Sequence, residues 1–267
     1  MKEGSKTTYQ YAFLDSGSGG LPYLAQLKVH APEASCVYLA DTAHFPYGEK
    51  TRDEVIAFAV KMVGNLLDRF CPEVIIIACN TISVAALAVL RETYPIPFVG
   101  TVPAIKVAAS LSVNRKIGLL ATERTVQDPY TDSLIARYAS NCEVVRIGDS
   151  LLVSRIEKEL IGATHEKKLA AVRPSIERFK RAGVDTIVLA CTHFLHVFDE
   201  INEEAGPDIR IIDSREGVVQ QALRLVKPRD DHHCEGACYV TGEVSPEMEK
   251  QYKSYAKQFD ISWGGIL

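Results

Sequence analysis

The sequence predicts an α/β fold of two pseudo-symmetric lobes, each a mostly parallel sheet flanked by helices. Three observations predict it. Short apolar runs alternate with helical stretches along the chain, the order of an α/β protein. Several runs are apolar at every position, as parallel strands buried on both faces are. The second half also repeats signals of the first: VIIIACNT (74–81) aligns with TIVLACTH (186–193), and FLDS (13–16) with LLAT (119–122).

Taken in order, YAFLD (11–15) is a strand that runs into the turn SGSGG, and SCVYLAD (35–41) is a second strand. TRDEVIAFAVKMVGNLLDRF (51–70) is a helix. Thr51 suits its N-cap, and Asp53 and Glu54 favour its positive end. Val55, Ile56, Ala59, Met62, Val63, Leu66, Leu67 and Phe70 recur at helical spacing along it. VIIIA is a buried strand, and the proline-rich PIPFVGTVPA (95–104) is the natural crossing to a second lobe. KIGLLA (116–121) and CEVVRI (142–147) are strands, LLVSRIEKELIG a helix, and HEKKLAAVRPSIERFKRAG a helix that Pro174 should kink or split. TIVLA (186–190) and IRIID (209–213) are strands. A helix from Ser214, the strand YVTG and a helix capped by Ser245-Pro246 complete the chain. The predicted lobes are 1–98 plus 213–267, and 99–212.

With 267 residues, 47% of them hydrophobic, the chain can bury a large core. A net charge of −4 and the absence of a Lys/Arg cluster argue against nucleic acid as a partner. The N-terminus MKEGSKTT has no apolar signal core and no segment approaches a membrane span, so the expected location is the cytoplasm. The seven cysteines, Cys36, Cys71, Cys79, Cys142, Cys191, Cys234 and Cys238, are scattered and odd in number, which predicts reduced thiols.

Two of those thiols stand apart. Cys79 and Cys191 each follow a buried strand, in matched Ala-Cys contexts, where a helix begins. Open α/β sheets bind ligands beyond the carboxyl ends of their strands, so two facing lobes would set these thiols across a cleft that forms the active site. A helix start favours negative charge on a sulfur, and its N–H groups suit a carboxylate. Asn80, Thr81, Thr192 and His193 add side-chain donors. Two opposed thiols suit removal of a proton from one face of a carbon and its return to the other. The rival reading of each cysteine is a small buried apolar residue.

DSGSGG (15–20), DTAHFPYG (41–48), ACNT (78–81), T-x-x-T (122–125) and ACTH (190–193) occur together and in order. In these motifs the chain resembles the glutamate racemases of the aspartate/glutamate racemase family, over essentially its whole length. The resemblance implies interconversion of L- and D-glutamate, with Cys79 and Cys191 as the catalytic pair and no metal or other cofactor. It implies that Asp15 and Ser16 contact the substrate, that Pro46, Tyr47 and Gly48 close over it, and that Thr122 and Thr125 hold its side-chain carboxylate. It also implies that Asp41, Glu157 and His193 tune the thiols. D-Glutamate for peptidoglycan is the implied use and a homodimer the implied assembly. A contact with DNA gyrase enters by family analogy alone.

Read from the residues alone, DSGSGG is equally a tight turn, Thr122 and Thr125 are helix caps, and Glu157 lies on a solvated helix face. Phe194-Leu195-His196 replaces the Tyr-Pro-Leu that commonly follows CTH in the family. The cluster His232, His233, Cys234 and Cys238 fits no common zinc spacing and reads as a loop before a strand. The alternatives are an aspartate or other amino-acid racemase of the same family, and a non-catalytic glutamate-binding regulator.

Overall fold

The computed structural model describes residues 8–229 and 236–267. His232, His233 and Cys234 of the cysteine–histidine cluster lie outside the described residues. The chain divides into two compact units: residues 1–46, 52–101 and 215–267 form the first, and residues 47–51 and 102–214 the second. The boundaries near 101 and 214 lie a few residues beyond those read from the sequence. Tyr47–Thr51, expected in the first lobe, groups with the second unit.

In the first unit, β1 (Tyr11–Asp15), α1 (Leu21–His30), β2 (Cys36–Ala40), α2 (Arg52–Phe70), β3 (Val74–Ile77), α3 (Asn80–Thr93) and β4 (Phe98–Gly100) follow one another. The second contains α4 (Ile105–Leu111), β5 (Lys116–Ala121), α5 (Glu123–Gln127), α6 (Pro129–Tyr138), β6 (Glu143–Gly148), α7 (Ser150–Arg155), α8 (His165–Ala182), β7 (Thr186–Ala190), α9 (Phe198–Ala205) and β8 (Arg210–Ile212). The chain then returns to the first unit with α10 (Arg215–Leu225), β9 (Ala237–Val240), α11 (Pro246–Gln258) and β10 (Ser262–Ile266).

Both sheets are parallel throughout. The first has the order β10-β9-β2-β1-β3-β4 and the second β6-β5-β7-β8. Without β9 and β10 the first order reads β2-β1-β3-β4, which is the order of the second sheet element for element. Every residue of β1, β2, β3 and β7 is buried, as strands covered on both faces must be. α2 turns Val55, Ala59, Met62, Val63, Leu66 and Phe70 to the core, while Ile56 and Leu67 of the predicted stripe are half-buried at its margin.

Three local readings change. α8 runs unbroken from His165 to Ala182 with Pro174 inside it, not split there. Its buried stripe, Ala171 and Val172 before the proline and Ser175, Ile176 and Phe179 after it, commits both halves to one helix. The predicted helix LLVSRIEKELIG is α7 followed by a π-helical turn, Ile156–Leu160. The stretch read as a crossing contains the outer strand β4, and a further outer strand, β10, follows the last helix. Strand β4 has three residues and β10 holds two glycines, so neither shows a clear alternation. Among the described residues no helix is long and apolar enough to cross a membrane.

Candidate active site

In the first unit the candidate residues come from adjacent strand ends. Asp15 ends β1, Asp41 follows β2, and Ala78-Cys79 follow β3; β1 lies between the other two strands. The Asp41 N–H donates to the Asp15 carbonyl at 2.7 Å, and the Ala78 N–H to the Leu14 carbonyl at 2.8 Å. The ladder is thus carried one residue past each strand, which fixes where the side chains leave the sheet. The Asp15 carboxylate accepts from the Ser16 N–H at 2.6 Å, and the Ser16 hydroxyl lies 4.0 Å from the Cys79 sulfur. Cys79 is the N-cap residue of the fourteen-residue α3, so the positive end of that helix favours negative charge on its sulfur.

The glycine-rich turn is a close-packing device. A Cβ on Gly20 would sit 2.7 Å from the Ala78 Cβ and 3.0 Å from the Ala78 carbonyl oxygen. The Tyr38 hydroxyl donates to the Gly17 carbonyl at 2.7 Å and accepts from the Gly20 N–H at 3.0 Å. Thus Tyr38 braces the turn that carries Asp15 and Ser16. One N–H of the Asn80 side-chain amide donates to the Thr101 carbonyl at 2.7 Å, and its buried Oδ1 has no hydrogen-bond partner. Thr81 is buried in the same first turn.

In the second unit Cys191 follows β7 as Cys79 follows β3, but its support differs. The segment after it is a six-residue 3-10 turn, Thr192–Val197, rather than a long α-helix. The electrostatic support comes from side chains. His193 Nδ1 is 3.9 Å from the Cys191 sulfur, and His193 Nε2 is 3.0 Å from Glu157 Oε2. Glu157 is buried, not on a solvated face, because the π-helical turn aims it inward. Burial opposes charge on His193, yet the hydrogen bonds and charges of Cys191 and Glu157 outweigh it and raise the imidazole well above its usual value of 6.5. Both ring nitrogens of His193 are thus engaged within the unit. Thr192 is buried beside it, and Phe194 of the atypical continuation is a fully enclosed core residue.

Of the two readings of Thr122 and Thr125, the structure describes the helix cap. Thr122 is the N-cap of α5 and accepts from the Thr125 N–H at 3.3 Å, and its hydroxyl lies 3.1 Å from that of Thr125. A Cβ on Gly48 would approach the Thr122 Cβ to 2.8 Å, so only glycine lets the Tyr47–Glu49 turn pack on this cap. Tyr47 is buried, and the Phe45–Pro46 peptide bond just before it is cis. Two open cavities of the second unit, about 580 Å³ and about 240 Å³, share Pro207 and Arg210 in their linings and contain none of the candidate residues. They lie toward the opposite, amino-terminal ends of β7 and β8, near Thr186 and Arg210.

A family model described as Asp/Glu/Hydantoin racemase matches residues 23–222. The chain belongs to the Asp/Glu/hydantoin racemase family. Glutamate racemase of Treponema pallidum (strain Nichols) is 42% identical over 259 residues, covering 97% of each chain. Escherichia coli glutamate racemase, crystallised with L-glutamate and the activator UDP-MurNAc-ala, aligns with a TM-score of 0.86 at 30% identity over 97% of this chain and 98% of that one. The Francisella tularensis enzyme in complex with D-glutamate gives 0.77 at 25% identity, over 97% of each chain.

This racemase-family chain also holds site residues that the motifs did not single out. His44 and Thr241 both bind the Asp41 carboxylate, at 2.8 Å and 2.6 Å. The three-residue spacing of Asp41 and His44 was a readable signal. Thr241 stands 200 positions away and becomes a neighbour only because β9 pairs with β2. No described cysteine is in a disulfide, and burial pushes the Cys36 thiol up to about 12.

Proposed function

We propose that this chain is a glutamate racemase that interconverts L- and D-glutamate by two-base proton transfer between Cys79 and Cys191, without a cofactor. The observation that carries the reading is the repeated placement of an Ala-Cys pair where β3 and β7 end, in two sheets that share a four-strand order. The names of relatives that match along nearly the full chain supply the substrate.

In the D-to-L direction the Cys79 thiolate takes the α-proton, breaking the Cα–H bond and leaving its electron pair on the substrate. The Cys191 thiol then gives its proton to the opposite face. The enzyme ends with the thiol on Cys79 and the thiolate on Cys191, and the L-to-D direction runs the same steps in reverse. Developing charge on the α-carboxylate needs fixed donors, a role for N–H groups at the start of α3 and for Thr81 and Thr192. The unpaired Asn80 Oδ1 and the Asp15 carboxylate suit the substrate ammonium, while Thr122 and Thr125 suit the distal carboxylate. His193, held protonated between Glu157 and the sulfur, places a cation beside the atom that gives and takes the proton on this side. Cytoplasmic D-glutamate for peptidoglycan is the corresponding role.

Purified protein dialysed exhaustively against chelator should racemise L-glutamate to zero optical rotation with nothing added. Restoration of lost activity only by a metal ion or pyridoxal phosphate would contradict the cofactor-free reading.

A further inference from the structure

The Asp41 carboxylate is fully buried and is gripped from two sides. His44 Nδ1 lies 2.9 Å from one of its oxygens and 2.8 Å from the other, and the Thr241 hydroxyl donates to it at 2.6 Å. A carboxylate partner at both distances means that Nδ1 carries the proton. The His44 ring is stacked on Phe58 of α2, with centroids 3.7 Å apart and planes 21° from parallel, so its orientation is set by packing. The turn that carries both residues is clamped in turn. Thr42 donates through its hydroxyl to the Thr241 carbonyl at 2.6 Å, and the Ala43 N–H donates to the Thr241 hydroxyl at 3.1 Å. Gly242, at a φ of +80°, lies so close that a Cβ would meet the Ala43 Cβ at 2.8 Å.

This brace is continuous with the Cys79 strand end. Thr241 follows β9, Asp41 follows β2, Asp15 ends β1 and Cys79 follows β3, in the order in which those strands lie side by side. Contacts run along that edge: His44 to Asp41, the Asp41 N–H to the Asp15 carbonyl, the Asp15 carboxylate to Ser16, and Ser16 to the sulfur. Beside Cys191 the supporting contacts are those of His193 and Glu157.

We propose that His44 is a positioning residue for the Cys79 half of the reaction: its Nδ1–H fixes the buried Asp41 carboxylate, and with it the strand edge that holds Asp15 and Ser16 beside the thiol. The inference rests on the two-thiol reading above. It predicts a one-sided defect. Loss of the Nδ1 donor slows the steps made by Cys79 and leaves those made by Cys191 intact.

Three variants separate the parts of the side chain. His44→Phe keeps a ring against Phe58 and removes the donor. His44→Asn keeps an N–H donor near the Nδ1 position and removes the ring. His44→Gln is equally polar but carries its amide one bond farther out, and it serves in place of the Phe variant if that variant does not fold. The kinetics are read with D- and L-glutamate deuterated at the α-carbon. His44→Phe and His44→Gln should lower kcat by about ten- to a hundredfold, with KM changed far less, as small misplacements of reacting groups do. The primary isotope effect should rise for D-glutamate, whose α-proton Cys79 removes, relative to that for L-glutamate. His44→Asn should recover most of the rate and the wild-type ratio of isotope effects. A wild-type rate and ratio in His44→Phe and His44→Gln would overturn the proposal. So would a loss of rate that leaves the ratio of the two isotope effects at its wild-type value and is not relieved by Asn, since that is the signature of a plain packing role. Wild-type protein that exchanges no α-hydrogen with solvent would instead overturn the two-thiol reading itself.

Discussion

His193 is an imidazole with no nitrogen left over. One faces the Cys191 sulfur and the other the buried Glu157, and together these keep the ring protonated against the penalty of burial. A histidine whose folded-state value is raised adds stability that is fully present below its unfolded value, near 6.5, and is lost as pH rises through the folded value. Glu157→Gln removes one of the groups that raise it. Thermal unfolding followed from pH 6 upward should show a fall in stability in the wild type that is shallower in this variant, and racemisation should fall by about 10–100-fold, the usual cost of losing an outer partner of a reactive group. An unchanged pH dependence together with wild-type turnover would remove Glu157 from the thiol's support. Sequence placed Glu157 here only through resemblance, because a glutamate in LLVSRIEKELIG reads equally as a surface residue. The π-helical turn that rotates it inward leaves no mark in an apolar period of three and four.

At the scale of elements, the strand ends were legible and the helix interiors less so. YAFLD, KIGLLA and TIVLA appear as β1, β5 and β7 with the ranges read from sequence, because fully buried parallel strands leave an uninterrupted apolar signature. The matched ends also share a detail that the alignment did not expose. Asp41 after β2 donates its N–H to the end of β1, and Asp149 after β6 donates its N–H to the Ala121 carbonyl at the end of β5, at 2.9 Å. In the first unit that Asp is drawn to His44 and Thr241. In the second it caps α7 through the Leu152 N–H and accepts from Ser175 of α8 at 2.6 Å. One equivalent position thus serves a strand-end brace in one half and helix anchoring in the other. α8 tolerates Pro174 because tertiary burial outweighs local preference, and this has a measurable consequence. Pro174→Ala should restore a backbone donor and relieve the ring clash. The gain, offset by extra freedom in the unfolded chain, should be about 1 kcal/mol in denaturant unfolding. A clear loss of stability would show that the proline ring itself packs productively.

At the scale of the molecule, two similar units carry unlike supports for like thiols. Cys79 has a long helix and a hydroxyl, and Cys191 an imidazole–carboxylate pair. That asymmetry suits a reaction whose two directions start from mirror-image substrates, since neither half needs to copy the other. Substrate length is expected to be read by Thr122 and Thr125. Aspartate, one methylene shorter, would leave those donors unpaired or shift the α-carbon, and glutamate should be preferred by about a hundredfold in kcat/KM, equivalent to ~2.7 kcal/mol. Equal turnover of L-aspartate would move the chain to another substrate within the family. The central claim, two thiols on opposite faces of one carbon, is tested most directly by running the reaction in deuterated water and recovering both enantiomers after the first turnovers. D-Glutamate formed from L-glutamate should carry deuterium at the α-carbon while the remaining L-glutamate stays unlabelled, and Cys79→Ser and Cys191→Ser should each abolish the inversion. D-Glutamate that retains its original α-hydrogen, or inversion at the normal rate in either single variant, would contradict it.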